Sequence, residues 1–233
     1  MKRPEYGPGG WLGIGTPQAN PTVEMEMRRL LPADVEPLTT RLVSRSDSPD
    51  ERLVDYLEGL PDYLGTFDTL PLQAFGFACT GSTYLAGKDR EAEIVRDVEK
   101  SFGYPIITAA EAVRRELDST GTERIALFAP YPKHLVDAAV AHWEAIGFRV
   151  TALRRLDLGS MDTRLIYRLG SSDVLRELAD FDVGTADSVL VSGTGVPTLD
   201  ALAPAEERFG CPVVSSNLCL ARALTKVLAA GSG

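Results

Sequence analysis

The stretch FACTGST, residues 77–83, contains the side chain with the clearest capacity for covalent chemistry. An apolar segment ends here, and Cys79 is followed directly by the small residues Thr80, Gly81 and Ser82. A cysteine thiolate is a strong nucleophile, and the unpaired backbone N–H groups at a helix start lower the pKa of a thiol. We therefore predict a reactive thiol at Cys79, surrounded by the loop that follows it. The alternative is an inert thiol at the end of a buried strand.

A second loop of the same character lies in the other half of the chain. The segment VSGTGVPT resembles FACTGST, and its Gly193 lies 114 positions after Cys79. Small residues before a helix leave backbone N–H groups free to bind an anion such as a carboxylate. Gly193, Thr194 and Gly195 are therefore candidate substrate-binding residues.

Further hydrogen-bond donors follow other strand-like segments. Asn20 follows the first of them, Tyr131 follows a middle one, and Ser216 and Asn217 follow the last. Each can donate a hydrogen bond to a carboxylate oxygen. The structural alternatives are helix capping for Asn20, Ser216 and Asn217, and simple aromatic packing for Tyr131.

The elements that must position these residues alternate between strand and helix along the whole chain. Apolar runs such as WLGIGTP, LQAFGFA and ERIALFAP are separated by segments with helical spacing, as is typical of parallel α/β proteins. WLGIGTPQAN also resembles RIALFAPYPK, with Pro17 and Pro130 lying 113 positions apart. A nearly constant offset predicts two similar α/β lobes. Since ligands bind at the carboxyl ends of parallel strands, we expect the active site between the lobes.

The composition argues against several other classes of function. The 233 residues carry a net charge of -9 without a cluster of Lys or Arg, which disfavours nucleic-acid binding. We find no signal-peptide pattern and no run of about 20 apolar residues, and we expect no membrane association. Three cysteines favour a reducing compartment, so we expect a cytoplasmic protein. The two histidines have no spacing typical of a metal site, and we expect none.

Several segments together resemble the aspartate/glutamate racemase superfamily, and within it the branch of maleate cis-trans isomerases and arylmalonate decarboxylases. The similarity runs from Trp11 to about Leu228 and is carried by GIGTPQANPTVEMEM, FACTGST, IALFAPYPKHL, VSGTGVPTLDAL and FGCPVVSSN. It implies two α/β lobes related by a pseudo-twofold axis, with the C-terminal segment returning to the first lobe. The lobes would comprise residues 1–118 plus 213–233, and residues 119–212. It also implies a homodimer that needs no metal and no organic cofactor.

The resemblance also implies roles for individual residues. Cys79 matches the first active-site cysteine of the family, Asn20 matches an asparagine that contacts a substrate carboxylate, and Tyr131 matches a tyrosine that donates a hydrogen bond near the reacting carbons. Racemases and cis-trans isomerases of the family have a second cysteine where this chain has Gly193. Two-base racemisation and decarboxylation by the arylmalonate route both use that second thiol, so Gly193 disfavours both.

We therefore expect a maleate isomerase-like enzyme that acts on a small unsaturated dicarboxylate. The thiolate of Cys79 would add to the activated C=C bond, the adduct would rotate, and the thiolate would leave. Two alternatives remain. One is another single-cysteine reaction on a small carboxylic acid, either decarboxylation or a lyase or hydrolase reaction. The other is a carboxylate-binding relative without turnover, which would have no need of a reactive thiol.

Overall fold

The computed structural model describes residues 5–231. Residues 1–4 and 232–233, which the expected lobe boundaries included, lie outside the described residues. Within the described range the strands form two four-stranded sheets, and helices connect successive strands.

The first sheet is parallel throughout and has the strand order β2-β1-β3-β4. Its strands are β1 (Gly10–Pro17), β2 (Val35–Leu42), β3 (Ala74–Phe77) and β4 (Ile106–Thr108). Every residue of β3 is buried, as expected for a central parallel strand that is covered on both faces.

The second sheet repeats this arrangement with the strand order β6-β5-β7-β8, again parallel throughout. Its strands are β5 (Arg124–Ala129), β6 (Arg149–Arg155), β7 (Ser188–Val191) and β8 (Val213–Ser215). The same order in both sheets confirms the two-lobed α/β fold that the internal repeat predicted.

The helices cover both sheets. They are α1 (Thr22–Leu30), α2 (Pro49–Glu58), α3 (Leu60–Gly65), α4 (Thr80–Ala86), α5 (Lys88–Phe102), α6 (Ala109–Ser119), α7 (Lys133–Ala145), a 3-10 helix (Thr163–Arg168), α8 (Ser171–Ala179), α9 (Leu199–Phe209) and α10 (Ser216–Gly231). Local signals set several ends: α5 stops at Gly103, whose φ of 78° is left-handed, and the Thr108 hydroxyl caps α6. No helix within residues 5–231 is long and apolar enough to cross a membrane.

The carboxyl ends of four strands run directly into helices. Asn20 lies between β1 and α1, Cys79 between β3 and α4, Tyr131 between β5 and α7, and Gly193 between β7 and α9. The large side chains of Phe77 and Phe128 are fully buried in the strands beneath these transitions. A close-packed core of this kind holds the strand ends in fixed positions.

The C-terminal segment divides between the lobes later than expected. β8 pairs with β7, so residues 213–215 belong to the second sheet, whereas the expected boundary placed them with the first lobe. The following helix, α10, packs mainly against α6 and also contacts α1 and β3 of the first lobe. The return of the chain to the first lobe therefore occurs at α10.

Candidate active site

Residues from both lobes line one small cavity at the carboxyl ends of the strands. Its empty space is about 370 Å³, including the mouth. The lining residues are Pro17, Asn20, Leu53, Cys79, Thr80, Gly81, Tyr131, Leu135, Thr163, Ile166, Tyr167, Gly193, Thr194 and Gly195. The structure thus brings most of the expected site residues together. Ser82, Ser216 and Asn217 are not part of the lining.

Cys79 is the N-cap residue of α4 and is 4% exposed. Its sulfur accepts a hydrogen bond from the Ser82 hydroxyl at 3.1 Å. The backbone N–H groups of Gly81 and Ser82 also stabilise the thiolate form. Ser82 therefore acts on the sulfur from behind and does not face the cavity.

Burial nevertheless raises the pKa of the Cys79 thiol above its ordinary value. It outweighs the Ser82 hydroxyl and the backbone N–H groups of Ser82 and Gly81, which all lower that pKa. The expectation of a lowered pKa is therefore wrong, because the sequence shows the donors but not the desolvation of the sulfur. The thiol is protonated at neutral pH, so covalent chemistry at Cys79 needs an acceptor for its proton.

Tyr131 reaches the cavity from the second lobe, and its hydroxyl links two loops. Its Oη lies 3.0 Å from Thr80 Oγ1 and 3.4 Å from Ser192 Oγ. Burial raises the pKa of Tyr131 to about 12, while the hydrogen bonds to Ser192 and Thr80 lower it. The hydroxyl therefore keeps its proton across the neutral range and can serve as a hydrogen-bond donor there.

Gly193 has a conformation that a residue with a side chain rarely adopts. Its φ is 114°, and an ideal Cβ built on it would lie 2.9 Å from Tyr131 Oη. The Tyr131 hydroxyl therefore occupies the space into which a side chain at position 193 would project. The Tyr131 hydroxyl thus lies beside the position at which a cysteine side chain at residue 193 would start.

Asn20 combines a structural role with a spare donor. Its Oδ1 accepts a hydrogen bond from Thr22 N–H at 2.8 Å and caps α1, as the structural alternative predicted. Its Nδ2 is buried and has no hydrogen-bond partner among residues 5–231. Buried donors without a partner are rare in native structures, so this amide group is available to a ligand oxygen in the cavity.

The loop of Thr194 and Gly195 is fastened to the first lobe. Thr194 Oγ1 donates to the carbonyl oxygen of Ala78 at 2.7 Å, and Thr22 Oγ1 donates to the carbonyl oxygen of Gly195 at 2.9 Å. The side-chain hydroxyl of Thr194 is thus engaged in joining the lobes. The two residues contribute wall and backbone to the cavity.

Ser216 and Asn217 support this loop from outside the cavity lining. Ser216 Oγ accepts a hydrogen bond from Gly193 N–H at 3.1 Å. Asn217 Nδ2 donates to the carbonyl oxygen of Thr194 at 3.0 Å and to Glu26 Oε2 at 2.7 Å. Both side chains hold the backbone of the second loop in place.

The buried carboxyl group of Glu26 was not singled out from the sequence. It is 5% exposed and accepts hydrogen bonds from Thr198 N–H at 2.6 Å and Leu199 N–H at 3.2 Å. These N–H groups belong to the start of α9, where a helix favours an acceptor with negative charge. Glu26 also lies three residues after Val23 and beside Met27 in the apolar stripe of α1, a spacing that signals its burial.

The apolar wall of the cavity was also missed. Leu53 of α2, Leu135 of α7, and Ile166 and Tyr167 of the 3-10 helix line it. A 3-10 helix is short and has no distinctive hydrophobic period, so the sequence gives little signal for it. The cavity therefore has hydrogen-bond donors on one side and apolar side chains on the other.

An ion pair ties the 3-10 helix to the first lobe. Arg52 of α2 is 4% exposed, and its Nη2 lies 3.2 Å from Oδ1 of Asp162, the N-cap residue of the 3-10 helix. Asp162 also bonds to Arg164, which holds the pKa of that carboxyl below its usual range. The ion pair helps to fix the apolar wall over the cavity.

Other candidate groups lie elsewhere. His134 is paired with Asp50 at 2.8 Å and does not line the cavity. Cys211 and Cys219 also lie outside the lining. Among residues 5–231, no group of three or more His, Cys, Asp and Glu side chains is arranged to hold a metal ion.

Comparison with known proteins identifies the family. The family model described as arylmalonate decarboxylase (Amdase) matches residues 71–231. The chain belongs to this family. Membership confirms the branch that the segments from Trp11 to Leu228 indicated.

Individual relatives cover nearly the whole chain. The maleate isomerase of Nocardia farcinica is 25% identical over 215 residues, which are 88% of this chain and 84% of that protein. A variant of the maleate isomerase of Pseudomonas putida S16 in which one cysteine is replaced by alanine, solved with maleate, aligns with a TM-score of 0.87 at 20% identity, over 94% of this chain and 92% of that one.

A solved structure of the Nocardia farcinica enzyme bears a covalent adduct. That enzyme is a variant of the Nocardia farcinica maleate cis-trans isomerase in which one cysteine is replaced by serine, with a covalently bound succinylcysteine intermediate. It aligns with a TM-score of 0.84 at 22% identity, over 94% of this chain and 93% of that one. At this identity the structural likeness confirms the fold.

Proposed function

We propose that the protein is a maleate isomerase-like enzyme in which Cys79 adds covalently to a small unsaturated dicarboxylate. The observation that carries this proposal is the position of Cys79. It is the one thiol among residues 5–231 that lines the cavity, and donors from both lobes surround it. Asn20 Nδ2 and the Tyr131 hydroxyl can each bind a carboxylate oxygen.

One relative supports covalent addition with one of its cysteines replaced. The succinylcysteine in the Nocardia farcinica variant formed although one cysteine of that protein is replaced by serine. An adduct of this kind needs one nucleophile, and Cys79 supplies one. The absence of a side chain at Gly193 is therefore compatible with covalent addition of Cys79 to the substrate.

The bonds and the proton of the proposed reaction are exchanged between Cys79 and the substrate alone. The thiol of Cys79 transfers its proton to a substrate carboxylate oxygen, and its sulfur bonds to one olefinic carbon while the π electron pair moves to the neighbouring carbon and its carboxyl group. The former double bond is now single and rotates. The electron pair then returns, the C–S bond breaks, and the sulfur regains its proton. No electrons are gained or lost, and no cofactor takes part.

The substrate itself is the proton acceptor in this scheme. No carboxylate or imidazole group lines the cavity in the part of the chain that the structure describes. A protonated thiol, its pKa raised by burial, needs a base nearby. The substrate carboxylate beside the reacting carbon is the base that the reaction always brings. Tyr131 and Asn20 then stabilise the developing negative charge by donating hydrogen bonds.

The test is a proton NMR time course with maleate. We expect the olefinic signal of maleate to be replaced by that of fumarate with the native protein and to persist with Cys79→Ala. The matched control is Cys211→Ala, which removes a half-buried thiol outside the cavity and should retain activity. Fumarate formation by Cys79→Ala would disprove the covalent role of Cys79.

Decarboxylation is the second candidate, because the matching family model is described as arylmalonate decarboxylase. By resemblance, that route takes its proton from a second-lobe cysteine, and Gly193 supplies none. Phenylmalonate in a parallel sample separates the two reactions. Loss of CO₂ from phenylmalonate without conversion of maleate would replace isomerisation with decarboxylation, and no change in either acid would favour a binding protein.

We further propose that the enzyme is a cytoplasmic homodimer. The three free cysteines favour a reducing compartment. The dimer rests on the resemblance to the family. For the lobes we propose residues up to 118 with 216 onwards as the first, and residues 119–215 as the second. Sedimentation of the purified protein would test the dimer.

A further inference from the structure

A buried chain of hydrogen bonds leads from the interior of the second lobe to Tyr131. Trp143 Nε1 donates to Tyr84 Oη at 3.2 Å, Tyr84 Oη lies 2.9 Å from Ser192 Oγ, and Ser192 Oγ lies 3.4 Å from Tyr131 Oη. Trp143 and Ser192 are fully buried, and both tyrosines are 5% exposed. This series of hydrogen bonds crosses between the lobes, since Tyr84 belongs to α4 of the first lobe and the other three residues belong to the second lobe.

The chemistry of the first donor sets the direction of the whole chain. An indole N–H can only donate, so Tyr84 Oη accepts from Trp143. A buried hydroxyl proton needs an acceptor, and the remaining partner of the Tyr84 hydroxyl within residues 5–231 is Ser192, so we assign the proton of Tyr84 to Ser192 Oγ. By the same argument, Ser192 donates its proton to Tyr131 Oη across the longest link of the chain.

The consequence falls on the proton of Tyr131. Its oxygen accepts from Ser192, so its own proton is directed to Thr80 Oγ1, 3.0 Å away, or to a ligand in the cavity. The same oxygen lies 2.9 Å from an ideal Cβ at Gly193, where the second lobe contributes no side chain. The orientation of the Tyr131 hydroxyl therefore determines whether the second lobe directs a proton into the cavity.

We propose that Ser192 and Tyr84 are positioning residues for Tyr131. The hydrogen bonds from Trp143 through these residues are all donated in one direction, which leaves the Tyr131 proton free to be donated to the substrate. This inference rests on the proposed function for its effect on rate. Its structural part, the direction of the chain, stands without it. Neither residue lines the cavity, so they act through Tyr131.

The first readout does not depend on turnover. Protein labelled with ¹³Cζ-tyrosine contains seven tyrosines, and the signals of Tyr131 and Tyr84 are assigned by their loss in Tyr131→Phe and Tyr84→Phe. We expect Ser192→Ala to shift both signals, because it removes a donor to Tyr131 and an acceptor from Tyr84. A variant that shifts the Tyr84 signal and leaves that of Tyr131 unchanged overturns the proposal.

The second readout is kinetic. We expect Ser192→Ala to lower kcat about threefold to tenfold with little change in KM, as for the loss of one hydrogen bond. Tyr84→Phe should have a smaller effect, because Ser192 keeps its own proton for Tyr131. In a Tyr131→Phe background, Ser192→Ala should have no further effect. Equal losses in both backgrounds would contradict the positioning role.

The matched control is Ser188→Ala, at the start of β7, the strand that Ser192 directly follows. Ser188 is also buried, and its hydroxyl lies 2.7 Å from Thr122 Oγ1 at the opposite end of β7. It should leave the Tyr131 signal and kcat unchanged. If maleate is not converted at all, the shift of the Tyr131 signal alone decides this proposal, so its failure is distinguishable from failure of the proposed function.

Discussion

The loop after β3 and the loop after β7 occupy equivalent places in the two lobes, and they are held in different ways. The first presents Cys79, whose φ of −149° lies in the extended region that any residue can adopt. The sulfur of Cys79 is held locally, by the hydroxyl of Ser82 three residues along the chain. The second presents Gly193, whose φ of 114° strongly favours glycine.

The second loop takes its support from distant parts of the chain. Thr22 and Ala78 bond to it from the first lobe, and Glu26 and Asn217 hold the residues around it. The loop after β3 therefore presents a thiol on an extended backbone. The loop after β7 presents no side chain at the equivalent position and is held by hydrogen bonds from distant residues. The lobes therefore share a fold, and under the proposed function the covalent chemistry belongs to the first lobe alone.

The largest expected effect is a loss of stability on adding a methyl group to the second loop. In Gly193→Ala, the Cβ would meet the Tyr131 hydroxyl at 2.9 Å on a backbone with left-handed φ. We expect the free energy of unfolding to fall by about 2–3 kcal/mol. Denaturant unfolding measures this change.

The control is Cys79→Ala at the equivalent position. Its backbone is extended and it loses a single sulfur atom, so we expect a cost of about 1 kcal/mol. Equal costs at the two positions would remove the contrast between the loops. A Gly193→Ala protein of native stability would show that the second loop accepts a side chain.

The second expected effect concerns the fastening of the second loop. Glu26→Gln keeps the size of the side chain but turns an NH₂ group towards one of its donors, Asn217 Nδ2 or the N–H groups at the start of α9. We expect a loss of about 2 kcal/mol in the free energy of unfolding, since hydrogen bonds to a buried carboxyl group are replaced by a clash of donors. Thermal or denaturant unfolding measures it.

Glu24→Gln is the control on the same helix. Glu24 pairs with Arg41 near the surface, and both side chains are about one third exposed or more. Exposed ion pairs contribute little, so a change of less than about 1 kcal/mol is expected. A Glu26→Gln variant as stable as Glu24→Gln would mean that the second loop does not depend on this contact between lobes.

The sequence predicted the position of the loop around Cys79 better than its surroundings. Cys79, Gly193 and the strands beneath them share one offset, and that repeat survives because each lobe needs the same strand-to-helix turn. The edge strand β2 was not recognised from the sequence, because Pro37 and the exposed polar residues of this strand weaken the strand pattern. Burial of Cys79 and Glu26 was missed for a related reason, since it comes from packing between distant segments.

The apolar wall shows the same limit. Leu53 and Tyr167 lie more than a hundred positions apart and yet line one cavity, beside the ion pair of Arg52 and Asp162 that joins α2 to the 3-10 helix. No periodicity within either segment predicts that contact. Motifs at strand ends are local and can be found in a sequence, whereas a wall built from two lobes depends on how the lobes dock.

The smallest expected effect tests whether the first loop tunes its thiol locally. Ser82→Ala removes the hydroxyl that bonds to Cys79 Sγ and lowers the pKa of the thiol. Without it, the pKa should rise further above its ordinary value, leaving less thiolate at a given pH. We expect alkylation of Cys79 by iodoacetamide at pH 8 to slow by about threefold to tenfold, as for the loss of one hydrogen bond.

Peptide mapping of the alkylated protein separates Cys79 from Cys211, which is half-buried and provides an internal reference. In the native protein the rate at Cys79 should still be rising with pH above the range of an ordinary thiol, because burial raises its pKa. Ser82→Ala should slow Cys79 and leave Cys211 unchanged. An unchanged alkylation rate at Cys79 would mean that the Ser82 hydroxyl does not stabilise the thiolate of Cys79. The thiol would then depend on its burial and on the backbone N–H groups of α4, and the contrast between a locally tuned loop and a distantly fastened one would be lost.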